Sequence, residues 1–244
     1  MKNKNIAVIF AGGVGSRMNS CEKPKQFLDV HGEPIIIHTL KVFENNPSID
    51  AIVISCVEGW IDYLNELLNK FNIRKVKKVV KGGVSGQQSI FFGLCAAEEI
   101  AGDDECIVLI HDGVRPLITS KTIDDNIASV LKYGSCITSV CVQETVLMAS
   151  EDGRITSVPP RKDCKLARAP QSFWLKEILQ MHRKSIESGI DSFIDSCSMM
   201  KYYGKELHLI EGPRDNIKIT TPEDFYIMRA ILDAREDSQI HGNY

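Results

Sequence analysis

Two apolar patterns take turns along the chain. Compact apolar runs lie at 6–10 (Ile-Ala-Val-Ile-Phe), 51–57 (Ala-Ile-Val-Ile-Ser-Cys-Val) and 106–110 (Cys-Ile-Val-Leu-Ile). Runs of this kind suit parallel strands covered on both faces. Between them, apolar residues return at helical spacing. Pro34 opens one such stretch as a first-turn proline, and Leu40, Val42 and Phe43 continue its apolar face. Trp60, Ile61, Leu64, Leu67, Leu68 and Phe71 form a second, best read as core packing, and residues 90–100 a third. The basic run at 74–81 alternates with valines and reads as a partly solvated strand, ended by Gly82-Gly83. A helix at 121–133 and a strand at 135–142 keep the rhythm. Strands alternating with helices predict a mainly parallel sheet with right-handed crossovers.

The rhythm then breaks. Apolar segments at 144–148 and 155–158 flank Glu151-Asp152-Gly153, a hairpin signal. A hairpin projecting from a compact domain exposes apolar residues unless a second copy covers them. Helices at 174–188 and 195–203 follow, then a strand at 206–210. Thr221-Pro222-Glu223-Asp224 carries the marks of a helix start: threonine at N-cap, proline at N1 and acids in the first turn. The residues after Asp237 are polar and read as a frayed tail. The expected architecture is α/β: a single Rossmann-like domain over 1–237 with a mainly parallel mixed sheet, a projecting β-arm at about 141–168, and a tail at 238–244.

Composition narrows this little. The 244 residues, 43% of them hydrophobic, allow one domain with a sizeable core. A net charge of −3 gives no broad pull on nucleic acid, so any anion site must be built locally. The eight cysteines form no C-x-x-C pair, and several sit in strand-like runs where a reduced, buried thiol is expected. The basic Met1-Lys2-Asn3-Lys4 start leads into an apolar run too short for a signal peptide. No apolar run approaches a membrane span. A cytoplasmic protein with neither nucleic-acid nor membrane partners is expected.

The chemistry gathers behind the first strand, in Ala11-Gly12-Gly13-Val14-Gly15-Ser16-Arg17. Close-set glycines let a ligand approach the main chain, and successive free N–H groups can cradle phosphate oxygens. Arg17 and Lys25 add positive charge. The spelling lacks the Gly-Lys-Ser/Thr of a mononucleotide P-loop, and Met18 stands where a dinucleotide fingerprint needs its third glycine. Asp112, just past a buried strand, is placed to steer a divalent ion or a substrate hydroxyl, and Arg115 to hold a phosphate. His111 could serve as a general base, although phosphate oxygens need none. A glycosyltransferase of similar topology would carry Asp-x-Asp, which does not occur. A nucleotide-binding protein without catalysis remains a rival.

The loop followed by Pro24-Lys25-Gln26-Phe27 resembles the cytidylyltransferases that make CDP-methylerythritol and their relatives that make CDP-ribitol. Four later blocks match in family order: Gly82-Gly83 with Ser89, His111 to Pro116, Pro170-Gln171-Ser172-Phe173, and Asp215 to Thr220. The resemblance implies transfer of CMP from CTP to a polyol phosphate with Mg2+, in a homodimer joined through the β-arm. It implies nucleotide contacts from Ala11, Gly12, Gly13, Val14, Gly15, Gly82, Gly83, Ser89 and Asp112. Catalytic charge would come from Arg17, Lys25 and Lys218, and the metal contact from Asp112. The acceptor would meet Asp112, Arg115, Asp195 and Lys218, with Thr145 and Arg161 reaching it from a neighbouring copy. Three positions depart from the family pattern: Gly86 replaces an arginine, and Ala169 and Ile194 replace acceptor-pocket threonines. The interval from Arg17 to Lys25 resembles the ribitol relatives. The interval and the two lost threonines favour ribitol 5-phosphate as acceptor, with methylerythritol 4-phosphate as the alternative, while Gly86 weakens the expected base site locally.

Overall fold

The computed structural model describes residues 3–12 and 23–241, with side chains described to residue 237. Gly13, Val14, Gly15 and Arg17 lie outside the described residues. In chain order the elements are β1 (Lys4–Ala11), β2 (Asp29–Val30), β3 (Glu33–Pro34), α1 (Ile35–Asn45), β4 (Ala51–Cys56), α2 (Ile61–Lys70), β5 (Val76–Lys81), α3 (Gly86–Ala101), β6 (Cys106–Asp112), α4 (Ser120–Tyr133) and β7 (Ser135–Cys141). They continue with β8 (Met148–Ala149), β9 (Ile155–Ser157), β10 (Lys165–Trp174), α5 (Leu175–Glu187), α6 (Ser196–Tyr202), β11 (Leu209–Glu211) and α7 (Pro222–His241).

A seven-stranded sheet in the order β11-β7-β10-β6-β1-β4-β5 forms the centre. β1 pairs in parallel with β4 and β6, and β4 with β5. β10 runs antiparallel between β6 and β7. The unbroken apolar runs are explained by cover on both faces. Ala7 and Ile9 pack into one core with residues of α1, α2 and α4, while Ile6 and Val8 face a second core under α3, α5 and α6. A third cluster seats α7 through Met228, with Ile219 from the coil before it, against Val30, Ile35, Val114 and Leu117. From β1 the chain winds outward through β4 and β5, then crosses back to β6. The crevice between the ends of β1 and β6 is therefore the point where strand order reverses, where open α/β sheets bind ligands.

The structure corrects the sequence reading in three places. Residues 165–174, read as the end of the arm, a Pro-Gln-Ser-Phe motif and the start of a helix, form the antiparallel strand β10. Its polar and small residues hide a strand that is buried only from Ala169 to Phe173. The arm's own ladder is shorter than expected, pairing Met148 with Ser157 and Ala149 with Ile155, while its legs continue β7 and β10. The late strand is displaced to Leu209–Glu211, where it pairs with β7. The last helix, α7, runs on through residues 238–241 and meets no breaker before Gly242. The start of α7 is as expected. Asp224 Oδ2 accepts from the Thr220 and Thr221 N–H groups at 2.8 Å each, and Thr221 Oγ1 accepts from the Asp224 N–H.

Candidate active site

Gly12 follows β1, and its position leaves no room for a side chain: a Cβ there would stand 2.7 Å from Ser89 Oγ. A Cβ on Gly82 would meet Cys56 O at 3.1 Å and Gly12 Cα at 3.2 Å. The two backbones can approach this closely only as glycines. Ser89, at the start of α3 and 2% exposed, locks the turn. Its hydroxyl accepts from Gly83 N–H at 3.0 Å and donates to Ser85 O at 2.9 Å. Gln88 Oε1 accepts from Val84 N–H at 2.7 Å, and Ser85 caps α3 through Gln88 N–H. From the other wall, buried Gln26 donates to Ala11 O at 2.7 Å, which seats Lys25 beside the end of β1. Phe27 stacks on Trp60 at 5.1 Å and fixes the same turn, giving Trp60 the core role its spacing suggests.

These groups line a cleft of about 1010 Å³ with Ala11, Gly12, Lys25, Gly82, Gly83, Ser89, Asp112 and Lys218 on its walls. Eight of the expected site residues, scattered over two hundred positions of sequence, thus share one cavity. A second cavity of about 290 Å³ adjoins it and is lined by Arg115, Arg168, Ala169, Ile194, Asp195 and Ser196, among others. Phe10, Gly86, Asp112 and Lys218 line both. The three departures from the family pattern, Gly86, Ala169 and Ile194, all face the smaller cavity.

Asp112 is the hinge of the charge network. Its Oδ2 accepts from Arg115 Nε at 2.7 Å, and its Oδ1 lies 2.6 Å from Lys218 Nζ. Burial alone would raise its pKa, but Lys218 and then Arg115 reverse that and hold it at about 2. Lys218 also sits 5.7 Å over the Phe10 ring. The coil that carries it is tied down on both sides. Arg115 Nη1 donates to Asn216 O at 3.0 Å, Asn216 Nδ2 donates to Ala169 O at 2.8 Å, and Ile219 N–H donates to Val114 O at 3.0 Å. His111 lies behind this network, fully buried, with Nε2 donating to Arg115 O at 3.2 Å. Burial lowers its pKa to about 4. It lines neither cavity, so it supports the turn and is not placed to act as a base.

Asp195 reaches the smaller cavity as the N-cap of α6, its Oδ1 accepting from Ser198 N–H at 2.8 Å and its Oδ2 from Gln171 Nε2 at 2.8 Å. Thr145 and Arg161 lie on the exposed arm and line neither cavity. Arg161 donates to Gln143 O at 2.8 Å. Sequence reasoning missed Gln26, Phe10 and Arg168. An arginine inside a stretch otherwise reading as small and apolar, Ala167-Arg168-Ala169, was the available signal for the last. Among the described residues, no group of three His, Cys, Asp or Glu side chains could cage a metal. Asp112, the one expected ligand, has each oxygen turned to a cation. Among the described residues, no helix is long and apolar enough to cross a membrane.

Residues 5–234 match the family described as IspD, 2-C-methyl-D-erythritol 4-phosphate cytidylyltransferase. A ribitol-5-phosphate cytidylyltransferase of Streptococcus agalactiae is 55% identical over 238 residues, covering 98% of this chain and 99% of its own. A 2-C-methyl-D-erythritol 4-phosphate cytidylyltransferase of Clostridium botulinum is 38% identical, covering 95% of this chain and 98% of its own. The crystal structure of a 4-diphosphocytidyl-2C-methyl-D-erythritol synthase from Anaerococcus prevotii superposes with a TM-score of 0.82 at 26% identity, covering 95% of this chain and 96% of that one.

Proposed function

We propose, from the premise that this chain belongs to the IspD family of cytidylyltransferases, that it transfers CMP from CTP to ribitol 5-phosphate, yielding CDP-ribitol and pyrophosphate. The observation that carries the reading is the pair of joined cavities. One is large enough for a nucleotide and is built on glycine backbone. The other is small, and the two share Asp112 and Lys218 at their border. The greater similarity to the Streptococcus protein than to the Clostridium one favours ribitol 5-phosphate over methylerythritol 4-phosphate.

In this reading the triphosphate lies along the end of β1 with the base towards Gly82 and Gly83. An oxygen of the acceptor phosphate forms a bond to the α-phosphorus. The bond from that phosphorus to the bridging oxygen breaks, and pyrophosphate leaves with the electron pair. No proton changes hands, so the protein's task is to gather and stabilise negative charge. Lys218, held by Asp112, meets charge at the border where both reactants arrive. Lys25 meets it from the nucleotide side, and Arg17 is assigned the same task. Asp112 keeps Lys218 aimed and its charge intact. Magnesium is expected to travel with the triphosphate, since it favours phosphate oxygens and water. Asp112 would ligate it only by giving up a cation, and no step here depends on that.

The arm exposes Leu147, Met148, Ile155, Val158 and Leu166, each about half accessible. We assign it to a homodimer, with Thr145 and Arg161 entering the partner copy's acceptor cavity. The location proposed is the cytoplasm. The test is a panel of polyol phosphates with CTP, with pyrophosphate release as the signal. Ribitol 5-phosphate should give the highest kcat/KM. Turnover of methylerythritol phosphate alone would transfer the chain to the alternative, and CTP binding without turnover would favour a non-catalytic role.

A further inference from the structure

The smaller cavity holds an unusual share of unsatisfied polar groups. Ten buried side-chain polar atoms among the described residues have no hydrogen-bond partner, and five of them belong to residues lining this cavity: Asp112, Arg168, Ser196 and both ring nitrogens of His182. Asp112 Oδ1 at least has the Lys218 ammonium beside it. Buried polar groups are normally paired, so a cluster of unpaired ones around one void points to a polar ligand.

Most other polar walls of the cavity are already spoken for. Gln171 donates to Asp195 and accepts from Cys197 N–H at 2.8 Å. Asp195 caps α6. Arg115 uses Nε on Asp112 and Nη1 on Asn216. Ala169, Ile194 and Gly86 offer no side-chain donor. Arg168 is different. It sits on β10 next to Ala169, its Nε–H is buried and unpartnered, and its guanidinium lies within the field of Arg115. Burial and that neighbouring charge both disfavour its own positive charge, with Asp224 offsetting them in part. Asp224, however, accepts backbone N–H groups at the start of α7. An electron-rich oxygen arriving between the two guanidinium groups would relieve the Arg168 position.

We propose that Arg168 is an acceptor-binding residue, donating hydrogen bonds to oxygen atoms of the polyol phosphate and setting which acceptor the cavity takes. This rests on the reading of the smaller cavity as the acceptor site. Arg168 then supplies donors beside two positions, Ala169 and Ile194, that have none.

The test combines kinetics with direct binding on the full-length protein. Arg168→Ala should raise the KM for ribitol 5-phosphate roughly 10-fold or more, the scale of a lost charge-assisted hydrogen bond. The KM for CTP should stay put, and Arg168→Lys should recover part of the loss. Calorimetry with ribitol 5-phosphate alone, inorganic phosphate and unphosphorylated ribitol then locates the contact. Loss of phosphate binding in Arg168→Ala places it on the phosphoryl oxygens, and loss of ribitol binding places it on the hydroxyls. Either outcome supports the proposal. An unchanged acceptor KM overturns it, as does an equal rise in both KM values, the mark of a structural role. Should the wild type bind ribitol 5-phosphate without turning it over, the proposed reaction fails, while Arg168 still stands or falls on the calorimetry. No binding to the wild type removes both.

Discussion

The two cavities meet at Asp112 and Lys218 but are built from different materials. The larger cavity, proposed for the nucleotide, is largely backbone: Gly12 against Gly82, Gly83 held by Ser89, Ala11 held by Gln26. The smaller cavity, proposed for the acceptor, is largely side chain: Arg115, Arg168, Ala169, Ile194 and Asp195. A backbone cradle fixes the shape of what every member of such a family must hold in common. A side-chain wall can be rewritten one residue at a time without disturbing the sheet. Of the three departures from the family pattern, Ala169 and Ile194 line the second cavity alone, while Gly86 stands on the border of both.

The sharpest attack on the division is at its border. Lys218→Ala should lower kcat about 10²–10³-fold, by analogy with loss of one preorganised charge-stabilising donor. Lys25→Ala should fall in the same range without moving the acceptor KM. Pyrophosphate release under saturating substrates measures both. If Lys218→Ala raised only the acceptor KM, the lysine would belong to one cavity and the shared border would be lost.

Next in size is the cradle. Gly12→Ala forces a methyl group against Ser89 Oγ, and overpacking of this kind costs about 1–3 kcal/mol. CTP affinity should fall roughly 10-fold or more, with binding of ribitol 5-phosphate alone untouched. Titration with CTP, followed by calorimetry, checks it. Parallel losses for both ligands would mean that the cavities are not separable.

A smaller effect should come from restoring hydroxyls to the acceptor wall. The double variant Ala169→Thr with Ile194→Thr should shift the ratio of kcat/KM for methylerythritol phosphate over ribitol phosphate by about 10-fold, since one matched polar contact discriminates at this level or above. An unchanged ratio would place acceptor choice elsewhere.

The smallest effect concerns acid stability, and it touches both halves. His111, behind the Asp112 turn, and His182, on the acceptor wall, are buried and held neutral, with pKa values lowered to about 4. Between pH 6.5 and 4 the unfolded chain binds protons that the folded chain refuses. Stability is therefore full above pH 6.5 and declines as pH falls, by about 1 kcal/mol per histidine at pH 6. Urea melts at pH 7.5 and 6 would measure it, and His182→Phe should remove about half of the loss. A flat profile would mean that one or both imidazoles are reached by solvent.

The same division explains what could be read from the sequence. The parallel sheet and the cleft were legible because local rules write them plainly: apolar runs for covered strands, and glycines where backbones touch. Lys25, Lys218 and Asp112 stood in blocks whose order identified the family. β10 was not legible. Its outer half is exposed, its inner half is small and polar, and a register shift between Ala167 and Gln171 interrupts its pairing with β7. Arg168 went unnoticed because the charges that act on it, Arg115 in the turn after β6 and Asp224 in α7, lie far off in sequence.

β10 has a consequence of its own. A single ribbon of backbone leaves the arm at Lys165, passes Arg168 and Ala169, and dives between β6 and β7 by Gln171. Lys165, at the root of the arm, stands two residues before Ala167, the first residue of β10 to line the smaller cavity. Under the proposed dimer and acceptor assignments, the company the chain keeps and the alcohol it recognises are written along one strand, and a lineage drifting towards a new acceptor would have to renegotiate both.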